Sequence, residues 1–142
     1  MDEIRRHAEA LGIPLRVVPL PWPCSNEEYL ARWGAVWQAA AGEGISAAVF
    51  GDIHLTDIRT FRENALSGTG VSPIFPLWGR ESRELAHDMI AGGVHATVTA
   101  VDESRLNRGL IGRRFDEGFV AELPEGIDAC GENGEFHTVV HL

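Results

Sequence analysis

Short apolar runs alternate with longer segments of helical periodicity along most of the chain. The runs at 45–50, 71–75 and 94–101 have the length of strands, and helix-like segments follow the first two. Parallel strands need a crossover connection, usually a helix, so this alternation is typical of βαβ units. The sequence therefore predicts an α/β fold with a mostly parallel sheet.

The helical segments carry boundary signals of their own. A helix over 2–11 ends at Gly12, and a strand is predicted at 15–18. Ser25 and Glu28 have the spacing of a capping box, which begins the next helix. The apolar stripe of that helix includes two tryptophans, which we expect in the core rather than on a stacking platform. Further helices are predicted at 81–91 and 115–123, and a last strand at 136–142.

Composition narrows the classes of function. The chain has 142 residues and a net charge of −9, and its 12 basic residues are all arginine, so its field would repel nucleic acid. No run approaches the roughly 18 apolar residues of a membrane span. Cys24 and Cys130 form no C-x-x-C pair, which argues against a zinc site or a disulfide framework. A cytoplasmic protein is the simplest expectation.

The segment 130–138, C-G-E-N-G-E-F-H-T, is the densest group of reactive side chains. Glu132 and Glu135 flank Asn133-Gly134, a dipeptide typical of tight turns, so both carboxylates can face one pocket. There they could bind Mg²⁺, orient an attacking amine or act as a base. The alternative is a polar hairpin turn without a ligand.

Two other segments have a functional interpretation beside a structural one. Gly51-Asp52 follows a predicted strand, where an acidic side chain can hold a ribose hydroxyl, Mg²⁺ or an amine, or cap the next helix. Trp78-Gly79-Arg80 suits anion or adenine recognition, whereas the alternative is a tryptophan that anchors the loop and an arginine on the surface.

Basic and imidazole groups give weaker signals. A patch of four arginines fits either an anionic ligand or ordinary surface ion pairs: Arg105, Arg108, Arg113 and Arg114. On a strand, the spacing of His137 and His141 separates them by about 13 Å, so they are not expected to share a metal. His7, His87 and His95 stand alone in the sequence and are expected at the surface or at the edge of the core.

Four segments occur in the order seen in one enzyme family: 50–53 (F-G-D-I), 75–80 (F-P-L-W-G-R), 89–93 (M-I-A-G-G) and 130–138. In these motifs the chain, from about Ile4 onward, resembles the diphthine–ammonia ligase family, ATP-pyrophosphatase-type enzymes of the adenine nucleotide alpha hydrolase superfamily.

The resemblance implies a Rossmann-like nucleotide-binding lobe over 1–75 and a substrate or acceptor lobe over 76–142. It implies an enzyme that uses ATP and Mg²⁺ to adenylate a carboxylate, which ammonia then converts to an amide. Catalytic roles would fall to Glu132, Glu135 and His137, substrate contacts to Gly131, Asn133, Gly134, Thr138, Trp78 and Arg80, and nucleotide contacts to Gly51, Asp52 and Gly79.

Two departures from the family pattern matter. The S-G-G-K-D-S loop that grips the ATP phosphates in this family has no counterpart here, and the chain contains no lysine. We therefore expect an N-terminally incomplete nucleotide fold with an uncovered edge, and either a homo-oligomer or a missing N-terminal segment. The motif also differs from the E-G-G-E-Y of eukaryotic diphthamide enzymes, which leaves the acyl substrate open.

Two functions from different classes follow. The first is an ATP-dependent amide-forming ligase. The second is a non-catalytic small-molecule binding or assembly module that has lost the ATP loop. A tRNA-modifying relative is disfavoured, because such an enzyme needs a basic face that this acidic chain lacks.

Overall fold

The computed structural model describes residues 2–141, and the chain divides after Pro76 into two compact units, named unit 1 and unit 2. The predicted helices and strands are present with shifted ends, apart from the strand at 15–18. The last strand was predicted to reach Leu142, which lies outside the described residues. No helix within residues 2–141 combines the length and the apolar character needed to cross a bilayer.

Unit 1 contains three helices: α1 (Asp2–Ala10), α2 (Asn26–Gly42) and α3 (Thr56–Leu66). The predicted cap of α2 is confirmed, because the Ser25 hydroxyl accepts a hydrogen bond of 3.1 Å from the Glu28 amide. Such a cap satisfies one of the amides that an α-helix leaves without an internal partner, and it typically stabilises the helix by about 1 kcal/mol.

The sheet of unit 1 has two strands, β1 (Ala47–Val49) and β2 (Ser72–Ile74). They pair in parallel, with Ala47 opposite Ser72, and α3 makes the crossover between them. The strand predicted at 15–18 is wrong: this segment joins no sheet. The prolines on either side of it lack the N–H group that a ladder requires.

Aromatic rings make much of the packing in unit 1. The rings of Trp33 and Trp37 stack at 5.1 Å, and Trp37 meets Phe50 at 6.4 Å. Both tryptophans are half-buried, and Trp37 packs against the core of unit 1, so the expected core position is met only in part. The sheet edge is less covered: Val49 is 67% exposed, and an apolar groove of about 760 Å³ runs between residues 13–18, α2 and β1. Self-association stays a prediction.

Unit 2 is built around an antiparallel sheet. Its elements are α4 (Ser82–Ala91), β3 (His95–Val101), a 3₁₀ turn (Arg108–Leu110), β4 (Arg114–Phe115), α5 (Glu117–Glu122) and β5 (Phe136–His141). The strand order is β4-β3-β5. The α/β class is thus confirmed, but the prediction of a mostly parallel sheet is wrong for unit 2, where every strand pair is antiparallel.

The core of unit 2 fixes where the C-terminal motif lies. Phe115, Phe119 and Phe136 pack ring against ring, with centroids 5.2–6.3 Å apart, over the buried Val98. Full burial of such a side chain stabilises a fold by about 1.5–3 kcal/mol. Phe136 is the first residue of β5, so the segment before it is anchored to the core at its C-terminal end.

Candidate functional site

The loop that leads into β5, residues 128–135, is built around one buried carboxylate. Glu135 has no exposed surface. Its Oε1 accepts hydrogen bonds from the Asp128 amide (3.0 Å) and the Asn133 side-chain amide (3.1 Å), and its Oε2 accepts one from the Asn133 backbone amide (3.0 Å). We name this segment the acceptor loop. The carboxylate ties both ends of the acceptor loop together.

The Glu135 carboxylate is also ion-paired. The guanidinium of Arg105 lies 3.2 Å from its Oε1. Burial opposes ionisation, but the amide donors of the loop and the positive charge of Arg105 outweigh it, so the pKa of Glu135 lies below its ordinary value. Both oxygens of Glu135 already accept hydrogen bonds from the protein. This geometry suits a residue that positions the loop.

Asp128 links the acceptor loop to the start of α4. Its Oδ1 accepts hydrogen bonds from the Ser82 hydroxyl (2.8 Å), the Cys130 amide (2.8 Å) and the Glu132 amide (3.3 Å). The Ser82 oxygen in turn accepts a hydrogen bond of 3.2 Å from the Cys130 amide. A carboxylate that accepts several backbone N–H bonds holds those amides in place. The backbone of the loop is therefore held in place at Cys130 and Glu132.

Two glycines provide the bends of the loop. Gly131 has φ +70°, and a Cβ atom there would lie 2.7 Å from the backbone oxygen of Phe136. Gly134 has φ +81°, but its surroundings are open. Residues that carry a side chain rarely adopt this left-handed backbone region. At Gly131 the close approach of the Phe136 oxygen also leaves no room for a Cβ atom.

A cleft of about 270 Å³ opens beside the acceptor loop. It is lined by the start of α4 and by the loop: Glu81, Ser82, Arg83, Gly126, Ile127, Asp128, Ala129 and Asn133. Glu81 caps α4 by accepting the amides of Arg83 (3.0 Å) and Glu84 (2.7 Å), and these bonds hold its pKa below the usual value. Polar groups of both signs face this cleft, which suits a small polar ligand.

Cys130 is not suited to act as a nucleophile. Its Sγ donates a hydrogen bond of 3.2 Å to the Ser82 carbonyl, and burial raises the pKa of the thiol to about 11. Thiolate is the reactive form, so very little of this side chain is reactive near neutral pH.

We expect Cys130 to resist alkylation. In a Cys24→Ser variant at pH 8, iodoacetamide should modify Cys130 about a hundredfold more slowly than a free cysteine, and the rate should rise towards pH 11. Mass spectrometry of quenched samples measures the rate. A sample unfolded in urea is the control and should react at the ordinary rate; equal rates in folded and unfolded protein would contradict the burial of the thiol.

The other predicted residues of unit 2 lie around the loop. Glu132 is half-buried and Asn133 lines the cleft. His137 and Thr138 are exposed on β5, and the His137 carbonyl accepts a hydrogen bond from the Thr99 hydroxyl (3.2 Å). Asn133 is thus at the cleft, whereas neither Glu132 nor Glu135 is among the residues that line it, so the expectation that both carboxylates face one pocket is not met there. The imidazole and hydroxyl lie on the strand that follows.

The segment 78–80 precedes α4. Gly79 has φ +80° in a turn, and Trp78 is half-buried. The Arg80 guanidinium pairs with Asp88 at 2.5 Å and is 42% exposed. Its charge is therefore already paired with an acidic residue of α4.

The predicted nucleotide contacts lie in unit 1. Gly51 is exposed, whereas Asp52 is buried and forms a bidentate ion pair with Arg62, at 2.6 and 3.1 Å. The Arg62 guanidinium also lies 4.6 Å from the centre of the Phe50 ring. The interpretation of Asp52 as a helix cap is wrong, because Leu55 is the residue before α3 and has no side-chain cap bond.

Asp52 is not poised to hold Mg²⁺. Both oxygens of Asp52 are engaged by Arg62, and no cluster of three or more His, Cys, Asp or Glu side chains suited to a metal occurs in residues 2–141. Mg²⁺ is usually bound through one or two carboxylates together with the phosphates of its ligand, and Asp52 would have to give up contacts with Arg62 to serve as one of them.

Ser82, Arg105 and Asp128 organise the loop, but the sequence singled out only Arg105, and only as part of a basic patch. Ser82 and Arg105 come from segments far from the motif, and Asp128 lies two residues before it. Asp-x-Cys ahead of the motif is the local signal that could have drawn attention to Asp128, since Asp commonly hydrogen-bonds the backbone two residues on.

Comparisons with known proteins find similar sequences. The model of the family described as "Diphthamide synthase C-terminal domain" matches residues 81–141, which include α4, the acceptor loop and β5. Relatives named diphthine–ammonia ligase include a Bos taurus protein, 26% identical over 93% of this chain and 55% of the relative. A Homo sapiens protein of that name is 30% identical over 68% of this chain and 37% of the relative. The chain thus spans about half, or less, of the length of these relatives.

Proposed function

Because the chain belongs to the diphthine–ammonia ligase family, we propose that unit 2 carries the acceptor half of an ATP-dependent, amide-forming site. The observation that carries the proposal is the acceptor loop, which Glu135 and Asp128 hold rigidly beside a cleft of about 270 Å³. A preorganised loop of this kind can orient two reactants without rearranging during the reaction.

The proposed roles come from the family resemblance and from the chemistry of each side chain. Glu132 is the half-buried carboxylate of the loop, and we assign to it the orientation of ammonia and the acceptance of its proton. Asn133 would hydrogen-bond the acyl group, and His137 would assist proton transfer. Glu135 acts by positioning the loop. The contacts predicted for Trp78, Arg80, Gly131, Gly134 and Thr138 stay predictions.

The nucleotide half of the reaction is proposed only at the level of the family. Diphthine–ammonia ligase relatives point to ATP, with Mg²⁺, as the activating cofactor. Gly51, Asp52 and Gly79 stay the predicted nucleotide contacts, in a fold of Rossmann-like type. No step is assigned to them, because the Asp52–Arg62 pair has no oxygen free for Mg²⁺.

That ion pair favours a second candidate function, a non-catalytic binding or assembly module that retains the acceptor pocket. The two functions differ in nucleotide binding. Calorimetry with ATP–Mg²⁺ and with AMP separates them: micromolar binding supports the ligase, and the absence of binding supports the module.

Glu132→Gln should abolish amide formation without unfolding the protein. Loss of a general base costs about a hundredfold or more in rate. Ammonium-dependent release of AMP, measured with a protein acceptor that bears diphthine, gives the rate, and urea unfolding gives the stability. Glu125→Gln, a change at an exposed acidic residue before the loop, is the matched control and should leave the rate unchanged. Equal rates for Glu132→Gln and the parent would contradict the role of Glu132.

A further inference from the structure

A second concave site lies on the solvent-facing side of the sheet of unit 2. It has a volume of about 290 Å³, and its polar side chains are His95 and Thr97 from β3, Arg114 from β4 and His141 from β5. Cross-strand register brings them together, because His95 pairs with His141 and Thr97 pairs with Arg114. We name these four residues the sheet-face cluster. His95, alone in the sequence, has a histidine directly opposite it in the fold.

The contacts within the sheet-face cluster leave donors available. The Thr97 hydroxyl and His141 Nε2 are 2.8 Å apart. The Arg114 guanidinium donates to His95 Nδ1, so that nitrogen acts as an acceptor. A guanidinium has five N–H donors, and a hydrogen bond to one imidazole nitrogen occupies only part of this capacity.

Arg114 differs from the arginines near it in sequence. Arg105 pairs with Glu135 at 3.2 Å, Arg108 with Glu103 at 3.5 Å and Arg113 with Glu122 at 2.7 Å. The contact of Arg114 is an imidazole instead, and no carboxylate is among the residues that line the site. Its positive charge is therefore not neutralised locally, although the chain carries a net charge of −9.

We propose that the sheet-face cluster binds a phosphate-type oxyanion, either free phosphate or a phosphomonoester. Guanidinium groups bind phosphate oxygens in a bidentate manner, and an imidazole N–H and a threonine hydroxyl add further donors. Two opposed imidazoles could otherwise hold a divalent cation, but the guanidinium of Arg114 beside them repels one. The proposal is independent of the amide-forming function, since it involves different residues.

Titration with inorganic phosphate, followed by NMR of the full chain, tests the site. We expect saturable shifts of the His95 and His141 imidazole signals and of the Thr97 and Arg114 amides. Arg114→Gln should weaken binding about tenfold or more, the loss expected for a charge-assisted hydrogen bond. Arg108→Gln, at an exposed arginine with a carboxylate partner, is the matched control and should bind like the parent.

A further variant tests whether the loss of binding comes from misfolding, and further ligands identify what the site binds. Arg114→Lys keeps the charge but loses the bidentate fork, so it should bind phosphate more weakly than the parent and more tightly than Arg114→Gln. Tighter binding of O-phosphoserine or AMP than of phosphate would assign a phosphomonoester, and equal or weaker binding would assign free phosphate. Shifts that do not saturate, an unchanged affinity in Arg114→Gln, or a response to Zn²⁺ but not to phosphate would each overturn the proposal.

Discussion

Gly131→Ala is expected to destabilise unit 2 by about 3 kcal/mol and to abolish any reaction that uses the acceptor loop. Alanine at φ +70° is strained, and its Cβ would lie 2.7 Å from the Phe136 carbonyl oxygen. That oxygen belongs to the first residue of β5, so it cannot move aside without disturbing the strand. Urea unfolding followed by the NMR signals of Val98 and Phe119, both in the core of unit 2, measures the loss.

Gly134→Ala provides the matched control. It introduces the same side chain at φ +81°, in the same loop, but nothing lies within 4 Å of the added atom. Only the backbone strain remains, so we expect a loss of about 1 kcal/mol. If both alanine variants were destabilised equally, the close approach of Gly131 to Phe136 would not be the cause.

Glu135→Gln is expected to cost about 3 kcal/mol, because it removes the charge of a buried carboxylate and leaves its hydrogen-bond donors without a full set of acceptors. The carboxylate accepts hydrogen bonds from Asp128 and Asn133 and faces Arg105 at 3.2 Å. A neutral amide presents one oxygen and one NH₂ group to these donors. Glu103→Gln is the control: it removes an exposed partner of Arg108, and its effect should stay within about 0.5 kcal/mol.

Glu135→Gln should also change how strongly the stability of unit 2 depends on acid pH. The pKa of Glu135 is lowered in the folded protein, so its stabilisation is fully present above the unfolded value of about 4.3. It is lost as the pH falls from there through the folded pKa. We expect the parent to lose stability over this range more steeply than Glu135→Gln. Parallel slopes in urea unfolding between pH 5 and pH 3 would contradict an ionised Glu135.

Local signals predicted the helices and strands well where the chain itself supplies the boundary. The Ser25 cap starts α2, and the short apolar runs became β1, β2 and β3. Direction of strand pairing was not predictable in the same way. β4 has only two residues, and its antiparallel pairing with β3 depends on contacts that no local pattern reports.

The candidate site, too, was predictable from local sequence only in part. The motif at 130–138 identified the loop, and the two glutamates in it look equivalent in sequence. Their environments differ, because Arg105 and the buried amides surround Glu135 whereas Glu132 stays half-buried. Burial and ion pairing depend on segments distant in sequence, so the separate roles of the two carboxylates could only be read from the fold.

The hydrogen bonds of Ser82 bear on the order in which unit 2 folds. They join α4 to Asp128 and Cys130 across sequence separations of 46 and 48 residues. Contacts of this kind close a long loop, and the entropy lost in doing so is recovered only when the intervening strands have packed. The pairing of β3 with β5 joins residues that are similarly distant in sequence. We therefore expect the acceptor loop and the sheet to become ordered in the same step, so that a chain in which β5 has not yet paired has no formed pocket.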